Sequence, residues 1–173
     1  KSFRPVRTRV IKLRSDRALD PGTVQPPGEG AVAEVEEMPV RVRTLFLSDL
    51  HLGTRGCQAG LLLSFLKDYD ADTIYLVGDI VDGWQLRSGW YWPQEHNDVV
   101  QKLLRKVRKG ARIVYLPGNH DEFLRDYVGT SFGGIELAET AIHEAADGKR
   151  YLVIHGDQFD GIVRYARWLA LLG

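Results

Sequence analysis

The stretch TLFLSDLHLG, residues 44–53, is an apolar run that ends in Asp49 and His51. Apolar runs of this length are typical of buried strands, and α/β folds build their sites where parallel strands end. Three later stretches repeat the arrangement of an apolar run followed by polar residues. They are IYLVGDIVDGW at 74–84, IVYLPGNHDEF at 113–123 and YLVIHGDQFD at 151–160. The repetition predicts an α/β fold with one site at the ends of four strands.

The spacing of apolar residues outside these stretches supports the same fold. Within residues 96–109, Val99, Val100, Leu103, Leu104 and Val107 recur at helical spacing,. Strands that alternate with helices indicate a largely parallel sheet with helices on its faces. We predict strands at 42–48, 73–77, 112–116, 138–144 and 150–154, and helices at 61–69, 96–109 and 122–128. A polar, Trp-rich loop is expected after the second strand.

Composition narrows the class of protein. A chain of 173 residues fits one domain, and its zero formal net charge gives no reason to expect nucleic acid as a partner,. The lone Cys57 excludes an internal disulfide and indicates a reducing compartment, and we see neither a membrane-spanning run nor a signal peptide,. Residues 1–40 are basic and then rich in Pro and Gly, which predicts a flexible extension before a core at 41–160,.

The polar residues at the strand ends form a ligand set for metals. Carboxylate and amide oxygens mixed with imidazoles suit Mn²⁺, Fe or Zn²⁺. Asp49 and His51 are two positions apart, so on an extended strand end they would point the same way and share one ion,. Asp79 could bridge to a second ion that Asn119 and His155 also hold.

Such a pair of metals, about 3.5–4 Å apart, can clamp the attacking and leaving oxygens of a phosphoryl group. It also makes hydroxide available near neutral pH. His120, next to Asn119, would then stabilise the phosphate charge or protonate the leaving oxygen,. The sequence therefore predicts metal-assisted phosphoester hydrolysis.

The four stretches resemble the calcineurin-like metallophosphoesterase superfamily, whose pattern runs D-x-H, G-D-x-x-D/E, G-N-H-D/E, H and finally G-H-x-H. The chain matches the first four as SDLHLG, GDIVD, GNHDE and IHGD. The resemblance implies a layered β-sheet core flanked by helices, His120 as the catalytic histidine and Asp121 as the carboxylate that orients it. No G-H-x-H follows His155, so we expect the chain to stop before the last third of the family's fold.

Within that superfamily, SDLHLG, GDIVDGW and HGDQFD are similar to the UDP-2,3-diacylglucosamine pyrophosphatase family of lipid A biosynthesis. Those Mn²⁺ enzymes release UMP and a lipid phosphate from a nucleotide-linked glycolipid. The resemblance implies a cytoplasmic protein, peripheral to the inner face of the membrane, with a helical lid that begins in residues 161–173. The best-known members carry Arg where this chain has His120.

Further residues are assigned supporting roles. Asp82 and Asp157 would support the metal ligands, although either could instead only cap a loop. The candidates for substrate binding are Trp84, Arg87, Trp92, Phe123 and Arg125, while the aromatic members could equally pack the loop,. Two other functions remain open: a phosphoesterase acting on nucleotides, phosphodiesters or phosphoproteins, and a metal-free scaffold of the same fold.

Overall fold

Parallel strands form the centre of the molecule in the computed structural model, which describes residues 38–159. The main sheet has the strand order β1-β2-β3-β5-β4. Within the described residues, β1, β2, β3 and β5 run parallel to one another, and β4 pairs with β5 in antiparallel register. The elements are β1 Val40–Leu47, α1 Ala59–Asp68, β2 Tyr69–Val77, α2 Gly83–Ser88, α3 Gln94–Arg108, β3 Arg112–Leu116, a 3₁₀ helix Glu122–Tyr127, β4 Ser131–Phe132, β5 Ile135–Leu137, β6 Ala141–Glu144 and β7 Arg150–Val153.

The two faces of the sheet bury different residues because side chains alternate along a strand. Ile74 and Leu76 of β2 belong to one buried cluster, which also includes Leu66 of α1 and Leu103 of α3. Tyr75, which lies between them, belongs to a second cluster, made with Val114, Leu116 and Val153. Helices therefore cover one face, and β7 packs against the other. The predicted layered α/β architecture is confirmed.

The last two predicted strands form a sheet of their own. β6 and β7 pair only with each other, in antiparallel register, among the described residues. Apolar contacts of Val153 with Tyr75, Val114 and Leu116 join this hairpin to the main sheet. The stretch that carries His155 is thus held by packing, whereas the other three site-bearing strands are neighbours in one ladder.

Shorter elements depart from the sequence prediction. The loop after β2 contains the helix α2, which Asp82 caps by accepting a hydrogen bond from the Gln85 N–H at 2.9 Å. The hairpin β4–β5 was not predicted, and the predicted helix at 122–128 is a 3₁₀ helix that ends at Tyr127. Most of the predicted extension at 1–40 and the predicted lid at 161–173 lie outside the described residues. Across 38–159, every helix is too short or too polar to span a bilayer.

Candidate metal centre

The loop after β1 does not continue the extended strand. Asp49 and His51 both have left-handed backbone conformations, with φ of 55° and 49°. Their N–H groups donate to the Gly78 and Asp79 carbonyls at 3.2 and 2.9 Å, so the loop is held against the loop after β2. The expectation that an extended strand aligns the two side chains is wrong. They converge because hydrogen bonds to the neighbouring loop fix a turn.

Asp79 completes the first group of candidate ligands. It follows β2, is 5% exposed and also has a left-handed φ of 56°. One side-chain ligand atom each from Asp49, His51 and Asp79 lies within 4.8 Å of the others. Asp79 Oδ1 accepts the His120 N–H at 3.0 Å, which fixes the carboxylate against the loop after β3. The three residues form a small, mixed oxygen and nitrogen ligand set that fits a divalent metal such as Mn²⁺, Fe²⁺ or Zn²⁺.

A second group shares His51 and centres on Asp82. Asp82 Oδ2 lies 3.2 Å from His51 Nδ1 and 3.0 Å from His120 Nδ1, and the two imidazole rings are 4.7 Å apart. The carboxylate is buried, which opposes ionisation. Hydrogen bonds from the Gln85 N–H, His120 and His51 outweigh this cost and lower the pKa of Asp82 below its usual value,. Asp82 therefore stays an anion that accepts hydrogen bonds from both rings.

His155 and Asn119 reach the same edge from the other loops. His155 Nε2 lies 3.7 Å from Asp79 Oδ2, and His155 Nδ1 lies 3.0 Å from Asp157 Oδ1. Asn119 is half-buried and directly precedes His120, whose N–H bonds to Asp79. All five predicted metal ligands thus belong to loops that meet at the carboxyl edge of the main sheet.

Asp121 has a different task from the one predicted. Its carboxylate is fully buried and accepts the N–H groups of Gly118 at 2.6 Å and Ile80 at 2.8 Å, together with the Tyr115 hydroxyl. This carboxylate is thus bonded to backbone donors of two loops. The carboxylate beside His120 Nδ1, which was predicted to be that of Asp121, is that of Asp82. Burial, reinforced by the Asp121 charge, raises the pKa of Tyr115 well above its usual value,.

The predicted substrate residues divide into those near His120 and those elsewhere. The Trp84 ring lies 4.2 Å from the His120 ring, and a Cβ on Gly83 would come within 2.8 Å of the Phe123 ring. Trp92 instead packs against the core, with its ring 5.5 Å from His96. Arg87 is exposed in the last turn of α2, and the Arg125 guanidinium is engaged by Glu139, Asp157 and the Pro117 carbonyl.

Two roles in this centre were missed at the level of sequence. The Gly-Asp-x-x-Asp spacing marks Asp82 as a candidate but gives no sign that it meets two histidines 31 and 38 positions away. Tyr115 carries no sequence signal at all, because it reads as an ordinary residue of a buried strand. Both roles depend on which strands are neighbours.

Gly118 leaves room for the centre. A Cβ at this position would lie 2.3 Å from Asp79 Oδ1 and 2.8 Å from His155 Nδ1. We expect Gly118→Ala to displace both side chains and to weaken Mn²⁺ binding by about tenfold or more. Calorimetric titration with Mn²⁺ measures the change. Gly89→Ala is the matched control, because a Cβ there meets nothing within 4 Å; equal affinity in the two variants would contradict the expectation.

A family of known proteins matches most of the chain. The model of the calcineurin-like phosphoesterase family matches residues 42–171. A UDP-2,3-diacylglucosamine hydrolase of Photorhabdus laumondii is 29% identical over 137 residues, covering 72% of this chain and 53% of the relative. One of Chromohalobacter salexigens is 30% identical over 136 residues, covering 74% of this chain and 52% of the relative.

Proteins with other names are also similar. A DNA polymerase II small subunit of Methanothermobacter thermautotrophicus is 27% identical over 198 residues, covering 92% of this chain and 40% of that subunit. A solved structure, the nuclease MPE of Pseudomonas putida, aligns at 20% identity and a TM-score of 0.36, covering 56% of this chain and 47% of that one. The chain spans about half the length of the curated relatives it matches.

Proposed function

The chain belongs to the calcineurin-like phosphoesterase family, and we propose that its protein hydrolyses the pyrophosphate bond of UDP-2,3-diacylglucosamine or a similar lipid-linked nucleotide. The products would be UMP and a lipid phosphate. The names of the relatives support this substrate class. A substrate of this kind lies in a membrane, so we also propose that the protein works in the cytoplasm, peripheral to the inner face of the membrane.

The observation that carries the proposal is the convergence of the candidate ligands on Asp79, which is grouped with Asp49 and His51 and lies 3.7 Å from His155 Nε2. Asp49, His51 and Asp79 would hold one divalent metal, and Asp79, Asn119 and His155 a second one. Bound metals, for which we propose Mn²⁺, would supply charge stabilisation at the phosphoryl group and an activated water molecule. The mixture of oxygen and nitrogen donors fits such ions.

The protein's own groups would handle the proton and the leaving group. Asp82 holds His120 through Nδ1, so the other ring nitrogen of His120 is available to protonate the leaving oxygen,. The Trp84 ring lies 4.2 Å from the His120 ring and would limit its rotation. Because the Nδ1 hydrogen is bonded to Asp82, His120 would protonate the leaving oxygen from Nε2 as the imidazolium, and the fixed ring orientation favours general acid catalysis,.

The test is the Mn²⁺-dependent release of UMP from UDP-2,3-diacylglucosamine by the longest form of the protein that contains this sequence. We expect release that requires both Mn²⁺ and His120. His120→Ala should lower the rate about 10²- to 10⁴-fold. His143→Ala should leave it unchanged, since His143 packs against Phe46 and Tyr75 away from the ligand groups.

Two other outcomes would redirect the assignment. Hydrolysis of an aryl phosphodiester without release of UMP would keep the metal chemistry and discard the lipid substrate. It would favour a phosphoesterase acting on another nucleotide, phosphodiester or phosphoprotein. Inactivity on both substrates by a folded protein would favour a metal-free scaffold of the same fold.

A further inference from the structure

Arg125, in the 3₁₀ helix, joins two of the loops that carry candidate ligands. Its Nη2 donates to Asp157 Oδ2 at 2.6 Å and to the Pro117 carbonyl at 3.1 Å, while Nη1 donates to Glu139. The side chain is 27% exposed. Because these contacts use three of the five guanidinium N–H donors, the guanidinium is poorly placed to bind substrate, which was the predicted role of Arg125,.

Asp157 links Arg125 to His155. Of the two carboxylate oxygens, Oδ2 accepts from Arg125 and Oδ1 lies 3.0 Å from His155 Nδ1. A carboxylate only accepts hydrogen bonds, so the contact places the imidazole hydrogen on Nδ1 and leaves the Nε2 lone pair free. Nε2 is the atom that lies 3.7 Å from Asp79 Oδ2. The hydrogen-bonding pattern therefore prepares His155 as a ligand through Nε2.

The separate sheets explain why such a link is needed. His155 follows β7, which pairs only with β6 among the described residues, whereas Asp79 follows β2 of the main sheet. Apolar packing joins the two sheets, and packing has no direction of its own,. The polar contacts around Arg125 do have direction, and Gln158 extends them by donating to Glu139 Oε1 at 2.9 Å.

We infer that Arg125 is a positioning residue that holds His155 in register with Asp79 for metal binding, acting through Asp157. The inference rests on the metal centre of the proposed function and adds a residue to it. Arg125 contributes no ligand atom itself. It fixes the carboxylate that fixes the imidazole, and its bond to the Pro117 carbonyl ties this pair to the loop of Asn119 and His120.

The experiment compares Arg125→Met, Arg125→Lys and Asp157→Asn with the control Arg112→Met. Arg112 makes a two-bond pair with Glu136 at 2.9 and 2.7 Å at the start of β3, the opposite end of that strand from the ligand loops. Calorimetry with MnCl₂ alone measures metal affinity. Nitrogen NMR of labelled histidine measures which ring nitrogen of His155 carries the hydrogen, and this second readout needs neither metal nor turnover.

We expect Arg125→Met and Asp157→Asn each to weaken binding of one Mn²⁺ by about 10- to 100-fold and to move hydrogen from Nδ1 to Nε2 of His155. Arg125→Lys should fall between Arg125→Met and the wild type, because an ammonium keeps the charge but loses the planar fork. The double variant Arg125→Met with Asp157→Asn should lose little more than either single variant, since both act through one contact. Arg112→Met should match the wild type.

Unchanged affinity and unchanged His155 signals in Arg125→Met would overturn the inference, as would an equal loss in Arg112→Met. If Arg125→Met does not fold, Arg125→Lys decides by the same two readouts. A wild-type protein that binds no Mn²⁺ and carries the His155 hydrogen on Nε2 would also refute it. A wild-type protein that binds Mn²⁺ but releases no UMP would refute the proposed substrate and leave the inference standing.

Discussion

Asp79→Ala is expected to abolish divalent-metal binding and phosphoester hydrolysis together. Asp79 lies between the ligand candidates, grouped with Asp49 and His51 and 3.7 Å from His155 Nε2. Its removal takes ligand atoms from both proposed metals at once. Several kcal/mol of charge stabilisation would be lost, which corresponds to a rate reduction of about 10³-fold or more.

The measurement pairs calorimetric titration of Mn²⁺ with the hydrolysis of an aryl phosphodiester. Asp72→Ala is the matched control, because Asp72 lies on the same strand, is exposed and pairs with Arg41 at the surface. It should retain full binding and activity. An Asp79→Ala variant with wild-type turnover would eliminate the two-metal centre and the mechanism built on it.

Asp121→Ala is expected to lower the free energy of unfolding by about 3–5 kcal/mol. Its buried carboxylate accepts N–H groups from the loops after β2 and β3 and the Tyr115 hydroxyl. Each buried donor left without an acceptor costs about 1–3 kcal/mol, and water entering the small space left by the side chain recovers part of that cost.

Urea unfolding followed by circular dichroism gives this difference. Asp121→Asn should cost less, because the amide oxygen can still accept from some of the donors. Asp147→Ala serves as the surface control: Asp147 lies in the β6–β7 turn, pairs with Lys149 and is half exposed, so its loss should leave the free energy of unfolding close to that of the wild type,. A loss below about 1 kcal/mol in Asp121→Ala would show that the two loops do not depend on this carboxylate.

The sequence predicts those helices and strands whose run or period of apolar residues is long. β3 was predicted with its observed bounds, because a buried apolar run is closed by Pro117 and Gly118. The β5 strand has only three residues, too few to show a period, and the pairing of β6 with β7 depends on the turn between them rather than on either strand. Length of pattern thus separates the predicted elements from the missed ones.

The candidate site follows a similar division. The types of ligand and the strand ends that carry them could be predicted from the sequence, since parallel strands bring their carboxyl ends to one edge. The hydrogen-bond partners of these side chains could not be predicted. His120 and Asp121 are adjacent in sequence, and both contact the loop after β2. The Asp121 carboxylate accepts a backbone N–H of that loop, whereas the His120 ring meets the Asp82 side chain. Which carboxylate reaches which ring is decided by loop geometry, and no spacing rule specifies it.

The left-handed backbone of Asp49, His51 and Asp79 limits how far this centre can be transplanted. A residue other than glycine in that conformation costs about 1–2 kcal/mol, and hydrogen bonds between the loops after β1 and β2 offset the cost here,. In a scaffold that received the same motif residues without two adjacent parallel strands, the backbone of each loop would relax and the ligands would separate. Engineering of a comparable centre therefore has to copy the pair of strands along with the motif.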